Sequence, residues 1–274
     1  MSIAAIGYLR IAATDTDAWM TFGTSTLGLM DAAREDAAGA RFLRMDNHPF
    51  RFMLEPADHD GLIAAGLECR GRSEWEELCN RLDSNGHTLQ QGTPAEAARR
   101  CVTAFVSVDD PCGNTLEIYY GRRLDYAPLI SPTGVKEFIT GDEYTGDMGF
   151  GHAVLPTPDL DTAASFYTDL LGLGVSDTLH PPLPEGAPET TILFLHADNP
   201  RQHSLALYNH PYTGDVVHIM VEVSSLDEVG RAMDRAKAGG YPILASLGRH
   251  VNDNMCSFYV VAPGGIAVEY GYDG

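Results

Sequence analysis

GYLRIAATDTDAWMTFGTSTLGL (residues 7–29) and GHAVLPTPDLDTAASFYTDLLGL (residues 151–173) decide how this chain is read. Set one above the other, Phe22 falls on Phe166, and Leu27-Gly28-Leu29 on Leu171-Gly172-Leu173, 144 positions later. Two further pairs follow in the same order. GLECRGRSEWEELCNRLDSNG aligns with IMVEVSSLDEVGRAMDRAKAGG when Glu68 is placed on Glu222, 154 positions later. DPCGNTLEIYYG aligns with APGGIAVEYGYDG when Glu117 is placed on Glu269, 152 positions later. Self-similarity at nearly the same spacing in three ordered blocks marks an internal repeat. The chain is one domain written twice, joined within residues 131–147.

Each copy alternates strand and helix signals. In the second, residues 152–155 read as a strand, and Leu160, Ala163, Ala164, Tyr167 and Leu171 recur at helical spacing, with Gly172 suited to the helix end. VHIMVEV (residues 217–223) alternates, which puts His218, Met220 and Glu222 on one strand face. Ser225-Leu-Asp-Glu228 has the form of a capping box opening a second helix, and residues 257–261 and 266–270 flank a Pro-Gly-Gly turn as a hairpin. The expected fold is α+β: two tandem homologous domains, 1–135 and 136–274, each of two βαβββ modules forming a curved, barrel-like antiparallel sheet.

The copies differ where chemistry would sit. His152 aligns with Tyr8, His218 with Ala64, and Glu269 with Glu117. Two imidazoles and one carboxylate on one side of a metal, with its other positions open, suit a non-haem Fe(II) that activates oxygen, and Mn(II) accepts the same ligands. A single strand histidine is more often a core residue, and Glu269 alone could be an edge charge; three such residues at matched repeat positions shift that balance. Glu222 shares a strand face with His218 but lies about 13 Å along it, and it reads as structural. The first copy, lacking both imidazoles, is expected to be metal-free, with Glu117 a remnant that binds nothing.

LGRHVNDNMCSFYVVAPGGIAVEYG (residues 247–271), with GHAVL, NPRQHSLAL and VHIMVEV, resembles the type I extradiol ring-cleavage dioxygenases of the vicinal oxygen chelate superfamily. The resemblance spans the whole chain and is strongest to two-domain enzymes acting on 2,3-dihydroxybiphenyl and related polycyclic or seco-steroid catechols. It implies that His152, His218 and Glu269 hold iron, that His203 is the active-site histidine beside oxygen, and that His250 and Tyr259 contact the catecholic oxygens. Asn252 and Asp253 lie in the same loop and are implied to help bind substrate. Val154, Phe194 and Met220 are compatible with a bulky apolar substituent and would serve equally as core. The implied reaction cleaves a bicyclic or polycyclic catechol beside its diol, incorporating both atoms of O₂, in aromatic-compound degradation. The chain ends five residues after Glu269, where such enzymes commonly continue and line the pocket.

Two other classes use this scaffold. Glyoxalase-like isomerases assemble four ligands from two modules, with Gln or Glu replacing a histidine; drug-sequestering binding proteins have no metal triad. A yellow ring-fission product after anaerobic Fe(II) loading separates the dioxygenase from tight binding without colour. No G-x-S-x-G, G-x-G-x-x-G after a strand, or P-loop is present to support a hydrolase, a nucleotide-dependent redox enzyme or an ATPase.

Composition fits these readings. With 38 acidic and 18 basic residues the formal charge is −20, a field that disfavours nucleic acid and anionic membranes as partners. The five cysteines form no C-x-x-C pair and read as reduced thiols. The N-terminus lacks a secretory pattern and no apolar run of about 18 residues occurs. The expectation is a cytoplasmic homo-oligomer whose partners are an aromatic diol and O₂.

Overall fold

The computed structural model of the protein describes residues 3–182 and 184–274. The first half runs β1 (Ile3–Ala13), α1 (Thr16–Phe22), β2 (Met30–Asp31), β3 (Arg41–Arg44), β4 (Phe52–Pro56), β5 (Gly61–Cys69), α2 (Arg72–Ser84), β6 (Gln90–Gln91), α3 (Pro94–Arg99), β7 (Ala104–Asp109) and β8 (Thr115–Tyr120). Its strands form one eight-stranded sheet in the order β2-β3-β4-β1-β5-β8-β7-β6. A two-stranded ribbon, β9 (Gly141–Asp142) and β10 (Gly146–Asp147), follows. The second half runs β11 (Gly151–Pro156), α4 (Leu160–Ser165), β12 (Gly174–Leu179), β13 (Ile192–His196), β14 (Leu205–Tyr208), β15 (His218–Glu222), α5 (Leu226–Ala238), β16 (Ile243–Arg249), β17 (Cys256–Val261) and β18 (Ala267–Tyr272). Its sheet repeats the first, in the order β12-β13-β14-β11-β15-β18-β17-β16. Among the described residues no helix is long and apolar enough to cross a membrane.

The expected antiparallel sheet needs one correction: both sheets are mixed. β1 pairs parallel with β4, β5 with β8, β11 with β14, and β15 with β18. The reason lies in the βαβββ order. A helix returns the chain to the far edge of the sheet, and an odd number of strands then brings the last one back beside the first, running the same way. This puts the first strand of each module at the sheet centre, where β1 is buried along nearly its whole length.

Both α1 and α4 pass into a π-helical turn, at Gly23–Leu27 and Phe166–Leu170. The left-handed backbone of Gly28 and Gly172, each at φ 78°, then redirects the chain. The long helix α5 is capped by Ser225, whose Oγ accepts from the Glu228 N–H. Acidic residues lie in its first turn and basic ones in its last, matching the helix dipole.

By contacts the chain divides into two compact units, each holding one module from each half. In the unit of Met1–Gly7, Ala64–Arg123 and Gly141–Val217, Arg81 of α2 donates through Nε to the Leu170 carbonyl at 2.7 Å, and the His87 and Phe166 rings lie 4.8 Å apart. In the unit of Tyr8–Ile63, Leu124–Thr140 and His218–Gly274, Arg235 of α5 donates through Nε to the Thr26 carbonyl at 2.9 Å, and Phe22 meets Tyr241 at 4.8 Å. Arg81 and Arg235 are repeat equivalents, as are Thr26 and Leu170. The same device therefore occurs once per unit, an arginine bonding a carbonyl at the π turn of the other repeat.

Candidate metal centre

Three strands that are consecutive in the C-terminal sheet, β11, β15 and β18, carry His152, His218 and Glu269. On the paired strands β15 and β18, Met220 lies opposite Glu269. His218, two residues from Met220, therefore points to the same face as the carboxylate. His152, His218 and Glu269 each offer one ligand atom, and those atoms lie within 4.8 Å of one another. His218 Nε2 is 3.3 Å from Glu269 Oε2. Glu269 is 0% exposed and His152 3%. A fully buried carboxylate beside two imidazoles is a donor set whose chemistry suits a cation.

The His203 ring lies beside His152, tilted by 34° with a centroid separation of 4.0 Å, and Phe194 meets His203 edge-on at 4.8 Å. His203 Nδ1 faces Gln202 Oε1 at 2.5 Å. With a carbonyl oxygen as partner, Nδ1 carries the proton and Nε2 keeps its lone pair. The backbone carbonyl of Gln202, a different atom from the one facing His203, accepts from Ser176 Oγ, which also pairs with His196 Nδ1 at 2.7 Å. Val154 and Phe194 are buried with Ala206, and half-buried Leu179, Ile192, Tyr208 and Val217 pack against them.

A second group surrounds Glu269. The Tyr259 hydroxyl is 3.3 Å from His250 Nε2, and His250 Nε2 is 3.7 Å from Glu269 Oε1. The His218 and Tyr259 rings meet edge to face at 5.2 Å. Asp253 lies 3.3 Å from His250 Nδ1 and raises the His250 pKa above its ordinary value, outweighing burial, with Glu269 adding to the effect. Burial, reinforced by Glu269, pushes the Tyr259 phenol well up. Asp253 also accepts from the Met255 N–H, and Asn252 Nδ2 is buried with no hydrogen-bond partner.

Models of two families match this chain. "Glyoxalase/Bleomycin resistance protein/Dioxygenase superfamily" covers residues 149–270, and "Dihydroxybiphenyl dioxygenase BphC D1" covers residues 6–56. An iron-dependent extradiol dioxygenase of Rhodococcus jostii (strain RHA1) is 38% identical over 100% of this chain and 90% of its own length. The chain belongs to the type I extradiol ring-cleavage dioxygenases. A biphenyl-2,3-diol 1,2-dioxygenase of Paraburkholderia xenovorans (strain LB400) is also 38% identical, over 99% of this chain and 88% of that one. The crystal structure of a halotolerant catechol dioxygenase superposes with a TM-score of 0.89 at 32% identity, covering 99% of this chain and 87% of that one.

The structure thus brings His152, His218 and Glu269 together, sets His203 against His152 and Phe194 against His203, and sets His250 and Tyr259 beside Glu269 with Asp253 on His250. Three residues escaped sequence reading. Gln202 sits next to His203 and could have been noticed as its neighbour. Ser257 donates through Oγ to Glu269 Oε1 at 2.6 Å; it faces the same way as Tyr259, two residues on, and strand alternation would have found it. Arg100 is the third, and it is the partner of Glu117. Its Nε and Nη2 hold both Glu117 oxygens at 2.6 Å, because a buried carboxylate requires a countercharge.

Proposed function

We propose that this enzyme cleaves a bicyclic or polycyclic catechol such as 2,3-dihydroxybiphenyl beside its diol, with O₂ as co-substrate, at an Fe(II) held by His152, His218 and Glu269. The observation that carries this reading is the convergence of those ligand atoms within 4.8 Å, with the His203 ring against His152. In it, residues 136–274 form the catalytic domain and residues 1–135 a metal-free partner. Mn(II) is compatible with the same donors. When bound, the metal would hold diol and oxygen side by side and pass electron density between them.

The chain's own groups supply the rest. His203, with Nδ1–H given to Gln202, offers a basic Nε2 toward the site and takes and returns one proton. His250, oriented by Asp253, donates to a substrate oxygen, and the Tyr259 hydroxyl donates beside it. The Asn252 amide supplies a further donor in that loop. Val154 and Phe194, with the half-buried Leu179, Ile192 and Tyr208, offer an apolar wall for a second ring.

Anaerobic loading with Fe(II), followed by 2,3-dihydroxybiphenyl in air, is expected to give a yellow ring-fission product. Binding without colour would favour a sequestering protein, and isomerisation of a glutathione hemithioacetal a glyoxalase. His203→Ala should keep iron and catechol binding and lose about 10²–10⁴ in kcat; unchanged turnover removes it from the mechanism. The same reading takes the enzyme as a cytoplasmic homo-oligomer, which cell fractionation and light scattering check.

A further inference from the structure

Glu269 and Glu117 occupy the same repeat position but are held in opposite ways. In the first copy, the Arg100 guanidinium takes both oxygens of Glu117, and the pair is almost fully buried. The negative charge is cancelled and both oxygens are engaged. In the second copy a neutral hydroxyl bonds the carboxylate: Ser257, 2% exposed, donates to Glu269 Oε1 at 2.6 Å, with His250 Nε2 3.7 Å from the same oxygen. Glu269 Oε2 is left directed at His218 Nε2, 3.3 Å away. A hydroxyl fixes the first oxygen without adding a countercharge of its own, which leaves the second oxygen placed to face a cation.

The strand register shows that this arrangement is built. Ser257 pairs with Gly271, and the repeat-equivalent pair in the first copy is Phe105 with Tyr119. A Cβ at Gly271 would lie 3.0 Å from Ser257 Cβ and 2.5 Å from Met255 Sδ. Glycine there leaves room for the serine beneath the carboxylate. In the first copy, by contrast, Phe105 packs against Arg100, whose guanidinium lies 4.1 Å over the ring.

The geometry points to Ser257 as the positioning residue that presents Glu269 to a divalent cation through one oxygen, and so sets the affinity of the site. This rests on the metal reading of His152, His218 and Glu269. Removing a partner of this kind from a metal ligand weakens binding by about 10–100-fold.

The test is the dissociation constant for Mn(II), and for Fe(II) under anaerobic conditions, of the full chain and its variants, with the melting temperature of the metal-free proteins alongside. Ser257→Ala should weaken both metals about 10–100-fold while the metal-free melting temperature moves little. Ser257→Thr, which keeps the hydroxyl, should restore affinity. Ser257→Cys, close in size and a weak donor, should behave like alanine and stands in for it if that variant does not fold. Wild-type affinity in both Ser257→Ala and Ser257→Cys, or no recovery in Ser257→Thr, overturns the assignment. His218→Ala separates the two readings. If it loses the metal while Ser257→Ala keeps it, only the serine assignment falls; if it binds metal as the wild type does, the triad falls and the serine assignment with it.

Discussion

A buried carboxylate is costly to leave charged, and the two repeats resolve that cost differently at one backbone position. Around Glu117 the solution is an internal cation. Arg100→Met should destabilise the fold by about 3–5 kcal/mol, because Glu117 would be left charged and unpaired. Replacing both partners, Arg100→Met with Glu117→Leu, should recover most of that loss, as apolar side chains of similar volume often substitute for a buried ion pair. Urea denaturation of the single and double variants measures both values; a double variant no more stable than the single would show that the pair does more than neutralise itself. Around Glu269 a serine hydroxyl and the imidazoles of His218 and His250 stand where the first repeat has an arginine and a phenylalanine ring.

At the scale of elements, the helical runs that end in the π turns after α1 and α4 leave their last backbone carbonyls without an intrahelical partner. Arg235 takes the Thr26 carbonyl and Arg81 the Leu170 carbonyl, at 2.9 and 2.7 Å. Each bond is charge-assisted, so Arg81→Met and Arg235→Met should each lower stability by about 1.5–3 kcal/mol, read as a shift in denaturation midpoint. Gly172, at φ 78°, ends the second π turn. Gly172→Ala should destabilise by about 1–2 kcal/mol through left-handed strain, and Gly172→Asn by less, which thermal melts of the two variants would compare.

For the molecule as a whole, acid and metal are the two handles on stability. Burial works to raise the Asp46 carboxyl, but Arg51 and His48 outweigh it and hold the pKa below its ordinary value. A depressed carboxylate contributes stability that is complete above the unfolded value of about 4 and is lost as pH falls through the lower folded value. Stability should therefore decline below about pH 4, and Asp46→Asn should flatten part of that slope in a series of denaturant melts. Metal acts by mass action: Mn(II) at about a hundred times its Kd should add roughly 2.7 kcal/mol, a rise in Tm on the order of 5–10 °C. His152→Ala should abolish that rise, and a variant that kept it would locate the cation elsewhere.

The repeat, the strands that carry His152, His218 and Glu269, and the asymmetry between the copies were legible in the linear chain, because repeat spacing and strand alternation are local patterns that survive in order along it. His203, His250 and Tyr259 were reached through family resemblance, since nothing in their spacing places them near the triad. Tertiary structure alone decided three things. Central strands run parallel because three strands follow each helix, a matter of topology that periodicity does not encode. Modules join across the two halves, Arg81 to Leu170 and Arg235 to Thr26, because compactness follows contacts between residues distant in sequence. And Arg100 neutralises Glu117 where Ser257 merely steadies Glu269, because a side chain's partner depends on which atoms the fold brings within bonding distance.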